Sequence, residues 1–501
     1  MNLSKSRYCS AVQCPKILWM QSHMPEEYDE TVMNASTLAM GNAVGDLAMG
    51  YYGDFTEIPY SDDKSAMLAA TQAALNNGVA VIAEASFAVD GNFCSVDILR
   101  NFGGYVEIVE VKSSTELKDI YLHDMAYQCY VLQQCGLNVA RVSLMHINNQ
   151  YVRQGALDLR ELFTVEDHTA DMDALLADIP DNIARFKAIA DQSDEPDIGI
   201  SENCDKPYEC GYKSHCWRDI PENSVFDVAG HMHATKKWDM YRRGIVTFAE
   251  IIASGVKIND KQRRQVTGEL SRGAPEINKR EIRLFLNSLR YPLYHLDFET
   301  YQAAIPEYDG LRPYSQVPFQ FSLHIEYTEG AEPEHREFLA EAGADPRREL
   351  AERLCADIPA GVCVLAYNKA FEQSRLLELA RQFPDLSGHL TSIRENIEDL
   401  MLPFEKQDYY DWRFKGSYSI KYVLPALCPG DPELDYNALD LIHNGGEAMD
   451  AFPALAALPP DEAEPYRRAL LAYCRLDTLA MVKILARLRE EAKKDKSFES
   501  I

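Results

Sequence analysis

A chain of 501 residues is too long for one ordinary hydrophobic core, so two or three domains are expected. Its 46% hydrophobic and 26% charged residues are those of a soluble globular protein, and no apolar run is long enough to span a bilayer. The formal net charge of −28 argues against a simple nucleic-acid binder, which neutralises phosphates with basic surface. It argues less against an enzyme whose metal sites are built from carboxylates.

The opening MNLSKSRYCSAVQCPKILW carries early basic residues but no continuous apolar core, so it is not a signal peptide and a cytoplasmic location is expected. Ser4 is a fitting N-cap for helix within residues 1–50. Three strands are predicted over 79–112, VAVIAEASFAV, NFCSVDIL and GGYVEIVEVKSS, with turns at Asp90-Gly91 and Gly103-Gly104. A helix over 119–136 and the strand RVSLMHIN follow, an α/β pattern. Residues 160–200 read as acidic helix, and 225–290 as mostly helical and polar, a connector or small domain. Within it, WDMYRRGIVTFAEII places Gly between two helical stretches, either a helix–hairpin–helix that touches phosphates or an ordinary linker.

A second α/β unit begins at Tyr291. Its strands are YPLYHLDFET, PFQFSLHIEY and GVCVLAYN, followed by a helix at 369–383. The segment 403–460 is punctuated by Pro and Gly and reads as loop-rich, and an amphipathic helix runs over 462–490. Local basic patches remain in the acidic chain: Lys261 with Arg263 and Arg264, Lys279 with Arg280, and Arg413 with Lys415.

Glu110 and Lys112 are two apart on a predicted strand and leave the same face, with Asp97 on the neighbouring strand. Two such carboxylates can hold Mg²⁺ or Mn²⁺, and a lysine beside them can orient water and offset charge on a phosphate. Taken alone, the pattern also describes a solvated strand face. Asp297 and Glu299 repeat the spacing at the end of YHLDFET, while Tyr473 and Asp477 are four apart on a helix. The twelve cysteines are too sparse for a disulfide scaffold; Cys204, Cys210 and Cys216, spaced C-x5-C-x5-C, point to a metal or cluster site.

These motifs carry two resemblances. LSKSRYCSAVQCPKILW, GNAVGDLA, VDIL, EVK and HDMAYQCYVL resemble, in that order, the RecB-type nucleases of the PD-(D/E)XK superfamily, including its iron–sulfur members. The resemblance implies a restriction-endonuclease-like domain over 1–220 with Asp97, Glu110, Lys112 and Gln128 at its site; Tyr130 is a further match in the Gln motif. It also implies a [4Fe–4S] cluster on Cys14, Cys204, Cys210 and Cys216, with zinc the rival occupant and Cys14 preferred to Cys9. Gly45 stands where many relatives carry a metal-binding His, with Asp46 or Glu84 as substitutes.

The stretch from Asp297 to Asp477 resembles the DEDD exonucleases of the RNase H-like fold, in the subclass whose last motif is Tyr-x-x-x-Asp. This implies Asp297, Glu299, Glu372 and Asp477 as ligands of Mg²⁺ or Mn²⁺, Tyr473 orienting water, and Asp399 where relatives have a further Asp. Glu372 stands where Asp is usual, and GSYSIKYVLPAL resembles the helix that follows. The expectation is an α/β protein of three parts: 1–220, a connector over 221–290, and an exonuclease domain over 291–501. Its expected partner is nucleic acid, DNA before RNA. A single active C-terminal site with the first domain as a clamp, and a non-catalytic scaffold, are the alternatives.

Overall fold

Runs rich in β-branched and aromatic residues build the first sheet, and short turns set its register. In the computed structural model, which describes residues 2–32 and 34–494, the strands predicted over 79–112 form as β3 (Val81–Val89), β4 (Asn92–Asn101) and β5 (Val106–Lys112). Shorter β1 (Leu3–Ser4) and β2 (Thr56–Glu57) join them, with β6 (Val139–Ile147) and β7 (Phe163–Asp167) on the other side. The sheet order is β2-β3-β4-β5-β6-β7, with β1 parallel to β4. Residues 160–200, expected to be helical, contain β7 between a helical turn, Leu159–Leu162, and a longer helix, and Phe163 of β7 is buried.

Six helices of the first unit are α1 (Lys5–Gln13), α2 (Lys16–His23), α3 (Ala35–Met49), α4 (Lys64–Asn76), α5 (Asp119–Gln134) and α6 (Thr169–Ala190). The pair β5–β6 is parallel, and α5 is the crossover that such a pair requires. Tyr127 of α5 stacks on Tyr8 of α1 at 4.6 Å, and Phe186 of α6 joins them in the main core.

The chain divides into two compact units, one running to Asp219 with Ala303–Ser315 added, the other formed by Ile220–Gln302 and residues from Gln316 onward. The segment 221–290, expected as a connector, therefore lies within the second unit. It holds α7 (Ala234–Arg242), α8 (Phe248–Ser254), α9 (Asp260–Ser271) and α10 (Lys279–Ser288). Met240, Phe248, Ile251 and Val266 share a small core of their own there.

The second unit has a two-strand pair, β8 (Glu276–Ile277) with β14 (Tyr409–Tyr410), and a five-stranded sheet. The strands of that sheet are β9 (Leu293–Tyr301), β10 (Val317–Glu326), β11 (Glu334–Leu339), β12 (Cys363–Ala366) and β13 (Ile397–Asp399), in the order β11-β10-β9-β12-β13. Strands β9–β11 form an antiparallel meander, and β12 and β13 add parallel. Its helices are α11 (Arg347–Asp357), α12 (Ala370–Gln382), α13 (Ser387–Glu395), α14 (Ile420–Leu427), α15 (Gly445–Ala454) and α16 (Pro460–Lys493). The overall class is thus mixed α/β.

The expected loop region 403–460 contains α14 and α15 despite Pro425 and Pro453. Burial outweighs the breakers: Val423 and Leu424 enter the core, and Phe452 stacks on Phe319 at 4.0 Å. Several residues of the basic patches are engaged within the unit. Arg264 pairs with Glu276 at 2.6 Å, Arg413 with Asp411 at 2.5 Å, and Lys261 donates to the Glu405 carbonyl at 2.6 Å. Among the described residues, no helix is long and apolar enough to cross a membrane.

Candidate metal centres

The first centre lies where β4, β5, α1 and α5 meet. The alternation of β5 puts Glu110 and Lys112 on one face. The carboxylate of Asp97, on β4, accepts from the Val111 N–H at 2.7 Å. Lys112 Nζ lies 2.5 Å from Glu110 Oε1 and 2.9 Å from Asp124 Oδ2. Gln128 Nε2 donates to Glu110 Oε2 at 2.6 Å and to Asp124 Oδ1 at 2.9 Å. The residues expected at this centre are therefore together.

Two residues of the centre were missed in the sequence. Asp124 sits four before Gln128 on α5, a spacing that was a usable signal. Lys5, at the first position of α1, places Nζ 3.1 Å from Asp97 Oδ1 and 3.2 Å from both oxygens of Glu110. Burial disfavours the Lys5 charge, yet Asp97, Glu110 and Asp124 outweigh it and hold its pKa above the ordinary value. No local pattern marks Lys5, because its partners lie some hundred positions away in sequence.

Of Glu84 and Asp46, the two further acidic residues considered for this centre, Glu84 is the one that feels its charge. It lies between the pairs Ala83↔Ile98 and Ala85↔Val96, at a left-handed φ of 56° that an L-residue adopts at a cost of about 1 kcal/mol or more. Burial, then the Asp97 charge, pushes its carboxyl up to about 7. Asp46 is exposed on α3. A Cβ at Gly45 would meet nothing within 4 Å. Tyr130 packs against the core and has no part in the centre.

The four expected cysteines line one cavity of about 30 Å³, with Met20, Ile198 and Tyr212 among its other walls. Cys14 caps α1, and the neighbouring Gln13 clamps the later loop: its Nε2 donates to the carbonyls of Asn203 and Tyr208, both at 2.7 Å. Asn203 Nδ2 returns a bond to the Gln13 carbonyl at 2.8 Å. Gly211 is required here, since a Cβ would lie 2.4 Å from the Tyr28 ring. All four are free thiols. Burial and the neighbouring sulfurs push Cys210 up to about 11, and burial raises Cys14 and Cys216. A cavity lined by four free thiols fits a thiophilic metal group. Cys9 instead neighbours the first centre, where Asp124, Lys112, Glu110 and Lys5 act on it electrostatically.

The second unit gathers the other acidic set. Asp297 and Glu299 project from one face of β9. Helix α16 is held against the sheet by a buried polar ladder. Gln320 Nε2 donates to the Leu470 carbonyl at 2.8 Å, and the Thr478 hydroxyl meets Ser322 Oγ at 2.7 Å and His324 Nδ1 at 2.8 Å. Leu470 and Thr478 are two helical turns apart, so the ladder fixes both the register and the rotation of the helix. It thereby presents Tyr473, Cys474 and Asp477 towards β9. Asp297, Glu299 and Cys474 offer ligand atoms within 4.8 Å of one another.

Asp477 Oδ1 accepts from the Tyr436 hydroxyl at 2.5 Å, and the Tyr473 hydroxyl also bonds Asp477. Glu372, in the first turn of α12, is buried, and its Oε2 has no hydrogen-bond partner. Burial raises Asp297 well above the usual carboxylate range, reinforced by Asp477, Glu299 and Glu372. Glu299 is raised by burial, Asp477 and Glu372. Burial pushes Asp477 to about 6 against its tyrosine bonds, and Glu372 to about 8. An orphaned buried carboxylate oxygen and carboxyls that resist ionisation fit a place for divalent cations.

Asp399 serves a different purpose. Its carboxylate accepts backbone N–H bonds from Asn368 at 3.0 Å, Lys369 at 3.2 Å and Met401 at 2.9 Å. It braces the turn, with Asn368 at φ 69°, that aims Glu372. Tyr436 and Cys474 were missed in the sequence; Tyr436 lies in a segment without a readable period.

A family model described as a domain of unknown function (DUF2779) matches residues 294–419, which include Asp297, Glu299, Glu372 and Asp399 but not Tyr473 or Asp477. No curated protein and no solved structure matches the chain.

Proposed function

We propose that this chain is a metal-dependent nuclease that hydrolyses phosphodiester bonds of DNA, working exonucleolytically on single-stranded or frayed ends. The observation that carries this reading is the second unit's convergence of Asp297, Glu299, Glu372 and Asp477 beside Tyr473, with all four carboxyls raised by burial and Asp297 and Glu299 further raised by their acidic neighbours. Those four residues would hold Mg²⁺ or Mn²⁺. Such ions supply Lewis-acid stabilisation of the attacking and leaving oxygens when bound. Tyr473 orients the attacking water, Tyr436 holds Asp477 in place, and Asp399 sets the turn that delivers Glu372.

The acidic meander strand β9, flanked by parallel β12 and the helix α16, supports an RNase H-like reading of the second unit. The arrangement of Asp97, Glu110, Lys112 and Gln128 supports a PD-(D/E)XK reading of the first, and the four-cysteine cavity a [4Fe–4S] cluster in it. Repair, recombination or defence in the cytoplasm is the setting we infer. A second reading is favoured by one observation: Lys5 and Lys112 already match the first centre's carboxylates. In that reading the first unit is a clamp on nucleic acid, and only the second unit cuts.

The test is anaerobic purification followed by incubation of DNA and RNA, labelled at either end, with Mg²⁺ or Mn²⁺. Metal-dependent shortening of DNA supports the proposal, shortening of RNA alone redirects the substrate, and no shortening of either polymer contradicts it. Visible absorbance that disappears in Cys210→Ser supports the cluster; stoichiometric zinc in colourless, oxygen-free protein contradicts it.

A further inference from the structure

The contacts of the two lysines in the first centre differ in kind. Lys112 makes short, directed contacts of 2.5 and 2.9 Å, within or below the range of charge-assisted hydrogen bonds. Lys5 instead stands almost equidistant, at 3.1, 3.2 and 3.2 Å, from three oxygens supplied by two strands. It straddles them as an ion does. With the Val111 N–H, Lys112 and Gln128 engaging the remaining oxygens of Asp97, Glu110 and Asp124, each of those six oxygens has a partner.

The Lys5 backbone is fixed on several sides. Leu3 donates to the Gly91 carbonyl at 2.9 Å, and the Leu3 carbonyl accepts from the Tyr127 hydroxyl at 2.9 Å. Ser4 caps the helix through the Arg7 N–H, and Tyr8 stacks on Tyr127. The ammonium is thus delivered by a rigid start of α1, and only its four-carbon stem can move. A divalent cation binding Asp97 and Glu110 must share or take the place of Nζ, because two cations cannot occupy it together.

We propose that Lys5 is a tethered counter-ion that occupies the cation position between Asp97 and Glu110, so that a divalent metal binds the first centre only by displacing it. This rests on the reading of Asp97 and Glu110 as metal ligands. It makes the first centre a weak metal site at rest, and an incoming phosphate, which attracts the ammonium, the natural agent of displacement. Phosphate and metal then load together.

The probe is Mn²⁺ alone, titrated into the full chain carrying Asp297→Asn and Asp477→Asn, with free Mn²⁺ counted by electron paramagnetic resonance. Lys5→Met in this background is expected to bind Mn²⁺ at least tenfold more tightly than its parent. Lys5→Arg is expected to stay as weak as the parent, and adding Asp97→Asn to Lys5→Met to abolish the gain. Because Lys5→Met removes a buried counter-charge, Lys5→Gln is run beside it and should show the same gain. Equal or weaker Mn²⁺ binding by folded Lys5→Met or Lys5→Gln overturns the role of Lys5 while leaving the site reading intact. If no variant binds Mn²⁺ through Asp97, the metal reading of the centre and the proposal fall together.

Discussion

The two acidic centres are opposite solutions to burying carboxylates. In the first unit, Asp97, Glu110 and Asp124 are matched by two ammonium groups, an amide side chain and a backbone N–H. In the second, Asp297, Glu299, Glu372 and Asp477 meet tyrosine hydroxyls, a thiol and one another, and Glu372 keeps an oxygen without a partner. Isolated carboxylates are expensive to bury, and here the nearest cations, Arg375 and Lys421, leave the carboxyls raised, so an external cation would stabilise the charged form. The first can persist without one. The contrast teaches that similar Asp-x-Glu and Glu-x-Lys spacings say little about metal demand; the counter-charges contributed from distant sequence decide it.

The largest expected effect tests the uncompensated centre. Asp477→Asn should lower metal-dependent cleavage about a thousandfold, the equivalent of ~4 kcal/mol of lost charge stabilisation. Single-turnover rates on end-labelled single-stranded DNA measure it. Next comes metal itself. Saturating Mn²⁺, at a hundred times its dissociation constant, should stabilise the second unit by about 2.7 kcal/mol, and Asp297→Asn should erase that gain. The first unit should gain little, and calorimetric scans with and without chelator separate the two. An equal gain in both units would break the comparison.

Thr478→Val examines how the second centre is held. It leaves buried Ser322 and His324 without their shared hydroxyl and should cost about 1–3 kcal/mol in denaturant unfolding. The smallest effect concerns Gly45 on α3. Gly45→Ala should stabilise α3 by up to about 1 kcal/mol, because the helix interior offers open space for a Cβ. Differential denaturant unfolding of Gly45→Ala and wild type measures it, and a loss of stability would contradict the open space at this position.

Much of this was legible in the sequence where chemistry follows a short period. The three strands over 79–112, the pairs Glu110/Lys112 and Asp297/Glu299, and the Tyr473/Asp477 helix face are local patterns, and each has a counterpart in the structure. What escaped depends on contacts between distant residues. Lys5 reaches Glu110 across 105 positions, Tyr436 reaches Asp477 across 41, and the ladder from β10 to α16 spans some 150. Helix α14 was legible only through the resemblance of GSYSIKYVLPAL to a helix, while α15 escaped because Pro453 argues against it locally and burial of Phe452 argues for it globally. Of the basic patches, Arg264 and Arg413 are already paired within the unit, with Glu276 twelve positions on and Asp411 two positions before.

The most direct test of the contrast is Mn²⁺-dependent cleavage of end-labelled single-stranded DNA by the wild-type chain, Asp297→Asn and Lys112→Met side by side. The wild type is expected to cut, Asp297→Asn to lose about a thousandfold in rate, and Lys112→Met to retain most of the end-trimming activity. Undiminished cutting by Asp297→Asn, or loss of all cutting in Lys112→Met, would contradict the assignment of the second unit's uncompensated carboxylates as the principal catalytic site.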